Sequence, residues 1–126
     1  MTRSDRPTPG AGTAESPLTS AQFHILLTLA DGQRHGYGIM QEIERRTEGA
    51  VELGPGTLYR SIKQLLGRGL IREVDGHSGA PPESGRFRRS YALTQEGRAR
   101  TVEEAARLRS LVHWAEHALA PEGGKS

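Results

Sequence analysis

The chain has 126 residues, 34% of them hydrophobic, a formal net charge of only +2 and no cysteine. That length supports one compact core, and the missing thiols exclude disulfides, cysteine catalysis and Cys-type zinc sites and point to a reducing, cytoplasmic setting. No apolar run approaches the ~18 residues of a membrane span, so no membrane partner is expected.

The first seventeen residues, MTRSDRPTPGAGTAESP, lack the apolar stretch of a secretory signal and read as a flexible polar leader. A first helix is predicted from Thr19, where Thr19-x-x-Gln22 forms a capping box and Leu18 can staple onto Phe23. Phe23, Ile25, Leu26, Leu27, Leu29 and Ala30 make it apolar on most faces, so it should be buried, with Asp31-Gly32 as its stop. A second helix is expected over Gly36–Arg46, where Gly36, Ile39, Met40 and Ile43 recur on one face and Gln41, Glu42, Glu44 and Arg45 occupy the other. Thr47-Glu48-Gly49 closes it, and Val51-Glu52-Leu53 reads as extended or a very short strand.

The next stretch, GPGTLYRSIKQLLGRGLI (54–71), carries explicit start and stop signals. Pro55 suits the first helical position, because its missing N–H would be unsatisfied there anyway. Leu58, Ile62, Leu65 and Leu66 form one apolar stripe. Opposite lie Gly56, Arg60, Gln64 and Gly67, flanked by Thr57 and Lys63, with Tyr59 at the boundary. The stripe docks the helix, leaving the other face to meet something polar and negative.

Leu70–Val74 and Phe87–Leu93 then read as two strands of a hairpin, joined by the Gly-, Pro- and Ser-rich DGHSGAPPESGR, whose second stem carries Arg86, Arg88 and Arg89. Thr94 caps a last helix running to about Leu119. Its residues Ala105, Leu108, Val112, Ala115 and Leu119 step by three and four in a heptad seam, widened by Leu111, Ala118 and Trp114. With so little chain left to pack on, a second copy is the expected partner, followed by a frayed tail over 121–126.

Charge is unevenly spread. Between Gly54 and Leu93, Arg60, Lys63, Arg68, Arg72, Arg86, Arg88 and Arg89 stand against Glu73, Asp75 and Glu83, a net +4, while the remainder sums to −2. Such a basic segment is the footprint of a phosphate-facing surface, although solvated charge alone gives the same count. No enzyme constellation is present: Gly54-x-Gly56 lacks a third glycine at dinucleotide-binding spacing, and neither a Walker-type GK[ST] nor a G-x-S-x-G elbow occurs. His113-xxx-His117 has metal-binding spacing but no third ligand nearby, so a solvent-facing pair is the simpler reading, and no metal or cofactor is expected.

Three helices, a hairpin and a final helix make the order of a winged helix-turn-helix: a mainly α fold with a small β-hairpin over 18–93, plus a C-terminal dimerisation helix over 94–120. In that architecture the third helix enters the DNA major groove and the hairpin loop lies along the backbone. The alternatives are a winged-helix module that contacts protein only, or a MarR-like regulator; the latter normally has dimerisation helices at both ends.

HGYGI (35–39), GPGTLYRSIKQLLGRGLI and RFRRSYALTQEGR (86–98) together resemble the PadR family of bacterial transcriptional regulators. The resemblance, spanning roughly Leu18 to Arg100, implies a DNA-binding repressor, homodimeric through its last helix, in which a small molecule can bind between subunits. The single short terminal helix matches the compact subgroup. On this reading Gly56, Thr57, Tyr59, Arg60, Lys63 and Gln64 face DNA, with Tyr37 placed to reach a phosphate and Arg86, Arg88 and Arg89 on the wing. Arg60 either pairs with a guanine, worth ~1 to 3 kcal/mol of discrimination, or grips phosphate. Tyr59 and Tyr37 are divided between DNA contact and packing, and Arg89 between DNA and an ion pair. Ala105, Leu108, Leu111, Val112, Ala115 and Leu119 form the dimer interface. Trp114 either packs there or stacks on a small aromatic effector.

Overall fold

A computed structural model describes residues 16–74 and 89–121. The leader before residue 16, the hairpin tip with Phe87, Arg86 and Arg88, and the tail from residue 122 lie outside the described residues. The elements are α1 (Ser20–Leu29), β1 (Arg34–His35), α2 (Gly36–Arg46), α3 (Pro55–Gly67), β2 (Ile71–Val74), β3 (Ser90–Leu93) and α4 (Gln95–Ala118).

Each helix begins where its cap chemistry directs. Thr19 accepts from the Gln22 N–H while Gln22 accepts from the Thr19 N–H, the reciprocal capping box expected of α1. Thr94 accepts from the Gly97 N–H at 2.9 Å and starts α4. α2 has a cap that composition did not announce: the Gly38 N–H donates to Nδ1 of His35 at 2.8 Å. Burial, reinforced by the neighbouring Arg34, lowers the His35 pKa, which favours the neutral ring this bond requires.

The three helices converge on Ile25, Leu26, Leu29, Ile39, Ile43, Leu58, Ile62 and Leu65, all essentially buried. The sheet differs from a simple hairpin. It has three antiparallel strands in the order β1-β3-β2, with Arg34 opposite Tyr91 and Ile71 opposite Leu93. β3 is therefore central, and Ser90 and Tyr91 are both buried rather than alternating in and out. Val51–Leu53 joins no strand.

Two further expectations are corrected. Leu27 is 45% exposed, whereas its neighbour Thr28 is buried with its hydroxyl donating to the Ile25 carbonyl; α1 thus leaves one edge open. Glu42, assigned from periodicity to the solvated face of α2, is only 8% exposed. Its carboxylate accepts from Arg45 at 2.7 Å and Arg46 at 2.6 Å, with Arg34 at 4.0 Å. These charge-assisted bonds replace the lost water.

The bonds from Arg45 and Arg46 hold the Glu42 carboxyl at about 2, against an ordinary 4.5. Because the folded value is depressed, the stabilisation is fully present above pH 4.5 and is lost as pH falls from 4.5 towards 2. Chemical denaturation at stepped pH should show unfolding free energy falling across that window. In Glu42→Gln that part of the slope should be missing, with lower stability at neutral pH.

Candidate nucleic-acid interface

The amino terminus of α3 is built to stay open. Gly54 is its N-cap, Pro55 its first residue, no side chain caps it and no acid occupies its first turn. The leading N–H groups and the positive end of the helix dipole therefore face outward, where an anion is favoured. Gly56, Thr57, Arg60 and Lys63 are all exposed on this helix, while Leu58, Ser61, Ile62 and Leu65 turn inward. Lys63 Nζ lies 5.7 Å from the ring centroid of half-buried Tyr59, a cation–π contact that limits the lysine's range.

Gly56 has no internal reason to be glycine. Its φ is not in the left-handed region, and a Cβ there would meet nothing within 4 Å. Intramolecular packing thus leaves room for a side chain that close approach of an external partner would exclude. Gly56→Ala is expected to raise stability by about 0.5 kcal/mol through helix propensity while weakening duplex binding. Thermal melts and fluorescence anisotropy on one preparation check both signs.

Tyr37, in the first turn of α2, is half-buried and stacks on His35 with ring centroids 6.3 Å apart. It lines a groove that also reaches Gly54, which places its ring beside the start of α3. Glu44 and Glu52 line the same groove and limit the surface that can accept phosphate.

Arg89, at the base of the wing, is exposed and pairs with Glu73 across β2 and β3 at 3.4 Å. A surface pair of this kind is weak and exchangeable for phosphate. Gln64 sits differently from its companions. Although exposed overall, its amide oxygen accepts from Nε2 of Gln22 at 3.0 Å, which turns its polar end toward α1. Arg86 and Arg88 lie outside the described residues.

α4 divides into two halves. Gly97, Thr101 and Glu104 are buried against the domain and Ala105 and Leu108 are half-covered, but every described residue from Arg109 onward is exposed. Leu111, Val112, Trp114 and Leu119 are 40%, 54%, 68% and 80% accessible. Ala115 shares this bare surface. His113 and His117 lie with ring centroids 4.5 Å apart, and among the described residues no third histidine or acid joins them. No described helix is long and apolar enough to cross a membrane.

Sequence reasoning missed the polar residues that brace this surface: Gln22, Arg68 and Arg100. Thr19-x-x-Gln22 was visible as a cap, but nothing local signals that the same glutamine also reaches α3.

Comparison with known proteins agrees with this geometry. A model of the transcriptional regulator PadR-like family matches residues 25–103. The transcriptional regulator Rv3488 of Mycobacterium tuberculosis is 34% identical over 101 residues, covering 77% of this chain and 83% of that protein. An uncharacterized 37.1 kDa protein in transposon Tn4556 of Streptomyces fradiae is 38% identical over 85 residues, 68% of this chain. The match spans only 22% of that longer protein. The crystal structure of Bacillus subtilis PadR in complex with operator DNA superposes with a TM-score of 0.54 at 20% identity, over 69% of this chain and 47% of that one.

Proposed function

The chain belongs to the PadR-like family of transcriptional regulators, and we propose that it acts as a homodimeric repressor that grips an inverted-repeat operator through paired α3 helices and wings. The observation carrying this reading is the exposed cationic face of α3 beside its uncapped amino terminus. Thr57, Arg60 and Lys63 supply groove and phosphate contacts, Tyr59 and Tyr37 flank them, and Arg86, Arg88 and Arg89 hold the backbone from the wing. The operator complex of the Bacillus subtilis relative supports the same use of the fold.

The bare half of α4 supports the dimer. A 24-residue helix is ~36 Å long, and no other described residue covers its last turns. Ala105, Leu108, Leu111, Val112, Ala115 and Leu119 bury one another across a twofold axis, which places two α3 helices to address half-sites about 34 Å apart. Trp114 beside that seam offers a flat face to a small aromatic effector. Such a ligand relieves repression only by its differential affinity for the dimer geometry that does not fit the operator.

The test is association with duplex DNA between 50 and 200 mM salt, roughly the range in which several phosphate contacts cost orders of magnitude in affinity, together with mass measurement in solution. A steep salt dependence and a dimeric mass support the proposal. A protein that binds other proteins but loses no duplex affinity across that range is a winged-helix interaction module instead.

A further inference from the structure

α3 is held in two physically different ways. Leu58, Ile62 and Leu65 bury an apolar stripe that fixes how deep the helix sits and which side faces the core, but apolar burial is non-directional and does not by itself set the rotation to within a hydrogen bond's tolerance. A turn of about 20° carries side-chain tips ~6 Å from the axis through ~2 Å, enough to break a hydrogen bond to a base edge. Directional bonds hold the rotation more finely than the packed stripe alone.

A polar cluster at the carboxyl end of α3 has that character. Gln22, 4% exposed, uses one carboxamide three ways. Its Oε1 accepts from the Thr19 N–H at 3.0 Å and from the Arg68 guanidinium at 3.1 Å, and its Nε2 donates to Gln64 Oε1 at 3.0 Å. Gln64 lies in α3, and Arg68 is the C-cap that ends it. Arg68 also donates to the Ser16 carbonyl at 2.6 Å, and Arg100 of α4 donates to the same oxygen at 2.8 Å. Arg100 in turn lies 3.7 Å from buried Glu104, which accepts from Arg107 at 3.2 Å, one residue from the proposed dimer seam. Burial and the nearby charge of Arg100 lower the Arg68 pKa, as expected where two guanidiniums share one acceptor.

We infer that Gln22 is a positioning residue for DNA reading: it sets the rotation of α3, and the Ser16 carbonyl shared by Arg68 and Arg100 carries the pose of α4 into that rotation. The inference rests on α3 being the DNA-reading helix. It supplies the physical route by which events at the dimer helix reach the bases, a chain of directional bonds linking two elements.

The experiment uses the full chain, the duplex that wild-type protein enriches from a randomised library, and a random-sequence duplex as reference. Gln22→Leu removes the bonds at similar volume. Its ratio of selected to random affinity should fall about tenfold or more, on the scale of one lost base contact, while random-duplex affinity and its salt slope stay unchanged. Gln22→Glu should retain the ratio, since a carboxylate still accepts from Thr19 and Arg68 and the Gln64 amide can turn to donate. Ile25→Val, a core truncation on the same helix, should lower the melting temperature without changing the ratio.

Arg100→Met should lower the ratio in the same direction as Gln22→Leu, and the losses in the double variant should depart from additivity, because both links converge on the Arg68 guanidinium. If Gln22→Leu fails to fold, Gln22→Met removes the same bonds with an unbranched side chain closer in shape to the carboxamide. A folded variant of either kind that discriminates as well as wild type overturns this inference alone, and additive losses overturn the link to α4. Wild-type protein that enriches no duplex overturns the reading of α3, and this inference with it.

Discussion

Replacing Gly97 with alanine is expected to destabilise the domain by about 3 kcal/mol or more, above the ordinary range for an overpacked site. A Cβ at Gly97 would lie 1.9 Å from the Leu70 carbonyl oxygen, 2.8 Å from its carbon and 3.1 Å from Cδ2 of Leu93. The nearest obstacle is backbone, which cannot swing aside as a flexible side chain can. That carbonyl is also in use, accepting from the Thr94 N–H at 3.1 Å, while the Thr94 hydroxyl donates to the Gly69 carbonyl at 2.7 Å. Relief therefore requires the first turn of α4 to lift away from the start of β2, which loosens Thr101 and Glu104 behind it. For a domain of this size the melting temperature should fall by on the order of 12 °C or more. Circular dichroism melts of Gly97→Ala beside Gly56→Ala make the comparison internal: the same chemical change should lower one transition steeply and raise the other slightly. Equal transitions would falsify the close approach of α4 to Leu70.

The contrast between these glycines shows which parts of the fold could be read along the chain. Both stand in recognisable motifs, yet only three-dimensional neighbours separate a glycine required by Leu70 from one with open space around it. Features written within a few residues were legible. α2 spans Gly36–Arg46 as its periodicity indicates, and Thr19, Pro55 and Thr94 start their helices as their cap chemistry requires. Leu58, Ile62 and Leu65 of the α3 stripe are buried as expected, with Leu66 half-buried beside them, and Gly56, Thr57, Arg60 and Lys63 share the exposed face.

What escaped depends on distant partners. β1 is only two residues long and exists because Arg34 and His35 pair with Tyr91 and Ser90, more than fifty positions away. Glu42 and Glu104 resemble solvated charges in a helical pattern, since each has arginine three positions ahead, but both are buried with those arginines folded over them. Gln64 lies on the wheel among the residues of the exposed polar face, and only the 3.0 Å bond to Gln22 shows that its polar end is already engaged.

The second large effect is expected on binding. Arg60→Glu combined with Lys63→Glu should reduce duplex affinity by about a hundredfold or more at low salt and flatten the salt dependence by roughly two phosphate contacts. Both side chains are exposed on one face of α3, so reversing them should leave the core beneath, Leu58, Ile62 and Leu65, in place. The melting temperature is accordingly expected to stay near that of wild type. Single substitutions then separate two roles for Arg60. If its guanidinium pairs with a guanine, Arg60→Gln loses affinity for the selected duplex far more than for random sequence. If it grips phosphate, both affinities fall together and the salt slope drops by about one. Lys63, restrained against the Tyr59 ring, should behave as a phosphate contact in either case, and Tyr59→Leu, which removes the cation–π contact, should weaken binding through it. A double reversal that left duplex affinity intact would place the DNA-binding surface elsewhere on the molecule.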